Sequence, residues 1–333
     1  DEAVAPTLAT VSGFGALYAH NARGSDGTHL GALADAVETA GGCVSAAGEL
    51  AALGAADSRG HVSSYWADVT AAAGDPGFLR QCPVTLLATT STDVDEVSGL
   101  VSANAPPGAV VIVAGVSDAD ADAAHLHVAL ANGPGFTPGR LTSASNRRTP
   151  FVQLVDLAPT VLDLRGLAAP TSMIGEPWQT SEGGPRSVAA EVSSLSRLDL
   201  AARRQAGAVV PFWVTVVVLL LGVCAATAVA ALGGERRRLA AESRTVNSPR
   251  AARAAAIACT WCALLPAASF LAGTVAWWAS SHPLLALGAA TVAFATTATL
   301  VAVGLEIAVW RRRPFGLPAA AGTVTFAVIA VDL

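Results

Sequence analysis

Carboxylates and imidazoles crowd into one stretch of this chain, VVIVAGVSDADADAAHLH, from Val110 to His127. An apolar run stops at Asp118, Asp120 and Asp122 follow at alternate positions, and His125 and His127 close the stretch. Oxygen and nitrogen donors of this kind hold divalent cations such as zinc or manganese. Asp93 and Asp95 offer two more carboxylates earlier in the chain. A two-metal centre for displacement at phosphorus or sulfur needs about six good ligands, and these residues supply two or three at fitting places. The alternating aspartates also match the first half of a calcium loop. Ala123 stands where that loop requires glycine, and Ala129 where it ends in glutamate. On the residues alone three readings stay open: a solvated acidic loop, a degenerate single-metal site and a working two-metal centre.

Other reactive side chains carry weaker signals. Ser143, Ser145, Arg147 and Arg148 in TSASNRRTP form a polar, basic loop that either holds an anion or is a solvated connection. GFGALYAHNARG has glycines but no strand before them, which argues against a nucleotide loop. His20, His29 and His61 are scattered and read as surface histidines. Cys259 and Cys262 share a helical face at i, i+3, a thin basis for zinc without further ligands.

The elements that must position these residues come from hydrophobic periodicity. THLGALADAVETAGG reads as a helix with Leu30, Leu33 and Val37 inward, closed by Gly41 and Gly42. CVSAAG reads as a short strand and CPVTLLATT as a longer one. DVDEVSGLVSANAPPG reads as a helix capped by Asp93, with Val94, Val97, Leu100 and Val101 inward and Pro106 as its stop. AVVIVAGVS and LHVALANGPG read as further strands, the second placing His125 and His127 on one face, and FVQLVDLAPTVLDLRGL as a helix. Apolar strands alternating with helices predict an α/β domain with a doubly wound, mainly parallel sheet. Such sheets bind ligands beyond the carboxyl ends of their strands, where Asp118 falls. Cys43 and Cys82 each open a strand. If those strands are neighbours, the two sulfurs meet on one rim and form a disulfide in an oxidising compartment; otherwise they are small buried thiols.

The second half has different physics. The chain is 53% apolar and only 14% charged, too apolar for an ordinary soluble protein, and its mild net charge of −5 argues against a nucleic-acid partner. Long uncharged runs predict an all-α transmembrane domain over 207–333, with spans near 207–232, 254–278, 284–309 and 316–333. Residues 1–186 then form the aqueous α/β domain, and 187–206 a juxtamembrane helix or linker. No lysine occurs, so arginine alone sets the orientation. Six arginines lie between the first two spans and three follow the third, whereas SSHP between spans two and three has none. The positive-inside rule places loops 233–253 and 310–315 in the cytoplasm and residues 1–206 outside it. Glu306 is the one carboxylate within a span: it marks an ion path, or it snorkels toward Arg311–Arg313. The opening DEAVAPTLAT, without an initiator methionine, and the ending inside an apolar run predict a segment of a longer protein.

The order of motifs over residues 25–180 resembles the alkaline phosphatase and sulfatase superfamily. LGALADAVETAGGCVSAAG is similar to the helix and strand after the nucleophile segment, and CPVTLLATTSTDVDE to the strand that delivers an Asp-x-x-x-His metal pair. VVIVAGVSD is similar to the strand ending in Ser-Asp-His-Gly. HVALANGPGF and VQLVDLAPTVLDLRGL are similar to the closing strand and helix, the latter being the most specific. The layout also resembles uncharacterised actinobacterial polytopic membrane proteins and, more distantly, enzymes that add phosphoethanolamine to membrane glycolipids. The resemblance implies a Ser or Thr nucleophile and two divalent metals, with nucleophile and first aspartate upstream of Asp1. This chain departs from it: Ala119-Asp120 replaces His-Gly after Asp118, and no histidine follows Asp93 or Asp95 until His125. The departures favour an incomplete phosphatase-like outer domain that serves a cell-envelope protein as scaffold or binding module, with no cofactor or with a single divalent metal. Two alternatives are an active phospho- or sulfo-transferase or hydrolase acting on an envelope glycolipid, and a transporter or channel with an accessory outer domain. The lipid bilayer is the expected partner, with an envelope glycolipid or another membrane protein beside it.

Overall fold

The computed structural model describes residues 7–24, 27–75, 77–90, 92–117, 125–146, 148–183, 187–240, 249–309 and 316–332. The chain falls into two compact units, residues 1–117 with 127–188, and residues 118–126 with 189–333.

In chain order the first unit contains β1 (Thr7–Thr10), α1 (Phe14–Asn21), α2 (Ala32–Thr39), β2 (Val44–Ala47), α3 (Glu49–Ala55), β3 (His61–Trp66), α4 (Val69–Ala73), α5 (Phe78–Gln81) and β4 (Val84–Leu87). It continues with α6 (Val94–Asn104), β5 (Val111–Ala114), β6 (Ala129–Asn132), β7 (Arg140–Thr142), α7 (Leu157–Leu164) and β8 (Gln179–Ser181). Four strands form a sheet in the order β1-β3-β2-β4. β3, β2 and β4 run parallel and β1 closes the edge antiparallel to β3. Every residue of β2 is buried, as a central strand covered on both faces requires. On one face Val44, Ala46, Val62 and Val84 pack with Val37 of α2, Ala51 and Ala55 of α3, and Leu162 of α7. On the other, Ala47 and Trp66 pack with Ala72 and Phe78, the Trp66 and Phe78 rings meeting edge to face at 6.0 Å.

The strands do not close into the single doubly wound sheet expected from the sequence. β5 and β6 pair antiparallel in a ladder of their own, Val113 opposite Leu130, and β7 with β8 makes a third small ladder. Apolarity alone does not distinguish a fully covered parallel strand from one half of a hairpin, and Val113 and Leu130 are in fact exposed. β6 is also shorter than the sequence run implies. Gly133, at φ 131°, ends it; a Cβ there would stand 2.6 Å from the Ala109 carbonyl oxygen, so the close backbone approach requires glycine. β3 has no counterpart in the sequence expectation, although its exposure alternates along HVSSYW.

The second unit is helical: α8 (Val188–Ala240), α9 (Pro249–Ala272), α10 (Pro283–Val309) and α11 (Gly316–Asp332). Three stretches are long and apolar enough to cross a membrane, Val188–Ala226, Arg253–Ala272 and Pro283–Val309. The apolar part of α11, Gly316–Val328, is shorter. α8 is unbroken, so residues 188–206 and the first expected span are one helix. α9 ends six residues before the expected Trp278, where Gly273 turns the chain and a 3-10 turn, Trp277–Ala279, leads into α10. Phe212 and Val216 of α8 pack with Leu265 and Ala268 of α9 and Ala295 of α10; Ala302 and Ala320 join α10 to α11.

Candidate functional site

Beyond β4 the chain turns through three threonines into α6. Asp93 stands at the start of that helix but does not cap it through its side chain. Its carboxylate instead accepts the hydroxyls of Thr90 at 2.6 Å and Thr92 at 3.1 Å, and the two hydroxyls lie 2.7 Å apart. These bonds close the turn on itself. Asp95 and Glu96 occupy the exposed first turn of α6, where negative charge suits the helix dipole. Val94, Val97, Leu100 and Val101 are half-buried, so the expected inward face exists without a fully buried residue.

The end of β5 leads to Gly115, whose amide donates to the Val128 carbonyl at 2.9 Å. A Cβ on Gly115 would meet the His127 ring at 2.9 Å, so the imidazole lies directly over the glycine. His125 and His127 precede β6 and are exposed in irregular backbone, rather than on one face of a strand. His125 Nδ1 sits 3.2 Å from the Leu126 carbonyl oxygen. Asp118 and the rest of the acidic run to Ala124 lie outside the described residues. Among the described residues, no three His, Cys, Asp or Glu groups come together as a metal-binding set.

Cys43 and Cys82 are bridged, with Cα atoms 5.1 Å apart. The parallel register explains why: Val44 is paired with Val84, so the residues that open β2 and β4 share one rim of the sheet.

Two buried carboxylates organise the loops around them; Asp57 carries no motif, whereas Asp156 opens the DLAPTVL run within VQLVDLAPTVLDLRGL. Asp57 precedes β3 and accepts the amides of Arg59 at 2.9 Å and His61 at 2.8 Å and the Arg59 side chain at 2.8 Å. Burial pushes its carboxyl up, but these hydrogen bonds and the guanidinium charge outweigh that and hold it below the usual carboxylate range. Asp156, fully buried before α7, accepts the Ser145 hydroxyl at 2.5 Å and the amides of Gln153 at 2.9 Å and Glu176 at 3.0 Å. Thr160, one turn on, donates to the Asp156 carbonyl at 2.6 Å and accepts the Trp178 amide at 2.9 Å. The Ser143 hydroxyl donates to the Glu176 carbonyl at 3.3 Å. The serines of the basic loop are thus turned inward to tie three chain segments together. Arg147 lies outside the described residues, and Arg148 is exposed.

In the helical unit the Glu306 carboxylate meets Arg253 of α9 at 3.2 Å. The Arg311–Arg313 cluster lies outside the described residues. Near the other end of the bundle Arg203 pairs with Asp199 at 2.8 Å, and Arg204 donates to the carbonyls of Trp278 and Ser280.

Comparison with known protein families, curated proteins and solved structures found no match. Function therefore has to be argued from these residues.

Proposed function

We propose that the chain is a polytopic protein of the cell envelope. Its α/β unit is an incomplete phosphatase-like domain on the extracytoplasmic side that works as a scaffold or binding module rather than as a catalyst. The observation that carries the reading is the Cys43–Cys82 bridge ahead of three membrane-crossing helices. Stable disulfides belong to oxidising compartments. The arginine-rich segments 233–253 and 310–315 fit the cytoplasmic face, so bridge and charge agree on one orientation. The non-catalytic part rests on scarce imidazoles and on Asp93, whose carboxylate is already occupied by Thr90 and Thr92. A binding role suits an envelope glycolipid or another membrane protein.

The alternative, metal-dependent transfer or hydrolysis of phosphate or sulfate esters, draws on the superfamily likeness and on Asp118. The transporter alternative is weakened by Glu306, the carboxylate within α10, because its charge is paired with Arg253. The test uses the full chain purified in detergent and exposed to zinc and manganese. The expected outcome is sub-stoichiometric metal and no hydrolysis of aryl phosphate or aryl sulfate. Stoichiometric metal, with hydrolysis abolished by Asp118→Ala, would replace the scaffold reading with the enzymatic one.

A further inference from the structure

We propose that Arg204 is the recognition residue of a phospholipid site at the membrane surface of the helical unit, taking the lipid phosphate on the free edge of its guanidinium. The site rests on the reading of α8, α9 and α10 as membrane-crossing helices, and on nothing in the α/β unit. Arg204 stands on α8 two residues before the uncharged run that begins at Ala206, about 3 Å along the helix axis. A second element sets the same depth. Nη1 of Arg204 donates to the carbonyls of Trp278 and Ser280, at 3.1 Å to the latter, in the turn between α9 and α10. Trp277 and Trp278 suit the boundary between hydrocarbon and water, where indole rings collect. One turn deeper on α8, Ala208 is buried with Ala272, Trp277 and Leu287, which holds α8 against this turn.

Charge decides what such a group binds. Asp199 is engaged by the neighbouring Arg203 at 2.8 Å, and Arg204 has no carboxylate partner among the described residues. The two carbonyls satisfy Nη1 but leave the positive charge in place. Nε and Nη2 meet no acceptor among the described residues. Their hydrogens lie parallel along one edge of the planar fork, the arrangement that matches two oxygens of a phosphate. Arg204 is half-buried, so its charge is screened less than that of a fully solvated side chain. At the depth of Ala206 and the tryptophans, the anion within reach is the phosphate of a lipid headgroup.

Native mass spectrometry of the full chain released from detergent tests the site. The probes are dioleoylphosphatidylglycerol, its phosphate-free counterpart dioleoylglycerol, and inorganic phosphate. The wild type should bind the phospholipid about tenfold or more tightly than dioleoylglycerol, and equimolar inorganic phosphate should not displace it. Arg204→Gln should abolish the preference. Arg204→Lys keeps the charge without the fork and should retain only part of it. Arg197→Gln, at an exposed arginine two turns back on α8, should change it by less than about twofold. Equal losses in Arg197→Gln and Arg204→Gln would reduce the effect to diffuse attraction and overturn the site. Equal binding of the two lipids by the wild type, a comparison that needs no variant, would overturn it as well. Displacement by inorganic phosphate would assign the edge to the free anion instead of the lipid. Partition of the chain into the detergent-rich phase checks the membrane reading separately, so the two failures are distinguishable.

Discussion

Asp57 shows how much a single buried carboxylate holds in place. Its side chain is 1% exposed, whereas that of its partner Arg59 is 72% exposed. The acceptor is therefore expected to matter far more than the cation. Asp57→Ala leaves two part-buried amide bonds without their acceptor and should cost about 2–4 kcal/mol. Arg59→Ala, at a solvated guanidinium, should cost less than about 1 kcal/mol. Denaturant unfolding of the full chain, followed by tryptophan fluorescence, separates the two. The pH dependence has a definite sign. Because the folded carboxyl titrates below its ordinary value, its contribution is complete above the unfolded pKa and is lost as pH falls through the lower, folded one. The wild type should therefore lose stability at acid pH more steeply than Asp57→Asn. Asp57 was not legible beforehand, and Asp156 was legible only as part of the VQLVDLAPTVLDLRGL segment and not as a buried acceptor, because a carboxylate's value here comes from amides brought to it by turns. Asp93 was legible as the residue that opens α6 but not in what its side chain does, since threonines one and three positions back take its carboxylate.

At the level of elements, the bridge between β2 and β4 closes a loop with a sequence separation of 39. By loop entropy this is worth about 4 kcal/mol. Cys43→Ser, Cys82→Ser and reduction of the wild type should lower unfolding stability by similar amounts, and reduction should add nothing to either variant. Three effects of clearly different size would mean that packing around the sulfurs, not the cross-link, carries the contribution. β2, β4, α2 and α7 were readable because their periodicity is strong and their ends are marked by Gly or Pro. β3 was not, because His61, Ser63 and Ser64 dilute its apolar content, and only its alternation betrays it. The β5–β6 ladder was readable as strands but not as a hairpin, because pairing direction is set by tertiary contacts that an apolar run does not encode.

For the molecule as a whole, the membrane half was the most legible part, since uncharged length is itself the physical requirement for crossing. The proposed orientation makes a direct prediction. Cysteine introduced at exposed Ser102 should react with an impermeant maleimide in intact cells, whereas Ser243→Cys in the arginine-rich loop should react only after permeabilisation. The reverse pattern would invert the topology and remove the compartment argument. The distribution of sulfur has its own consequence. Two of the five cysteines are bridged in the α/β unit, and Cys224, Cys259 and Cys262 lie on membrane-crossing stretches. Thiol exchange proceeds through the thiolate, an anion that hydrocarbon does not solvate. The bilayer thus segregates the two sets chemically, and the oxidised pair matures without scrambling against its intramembrane neighbours.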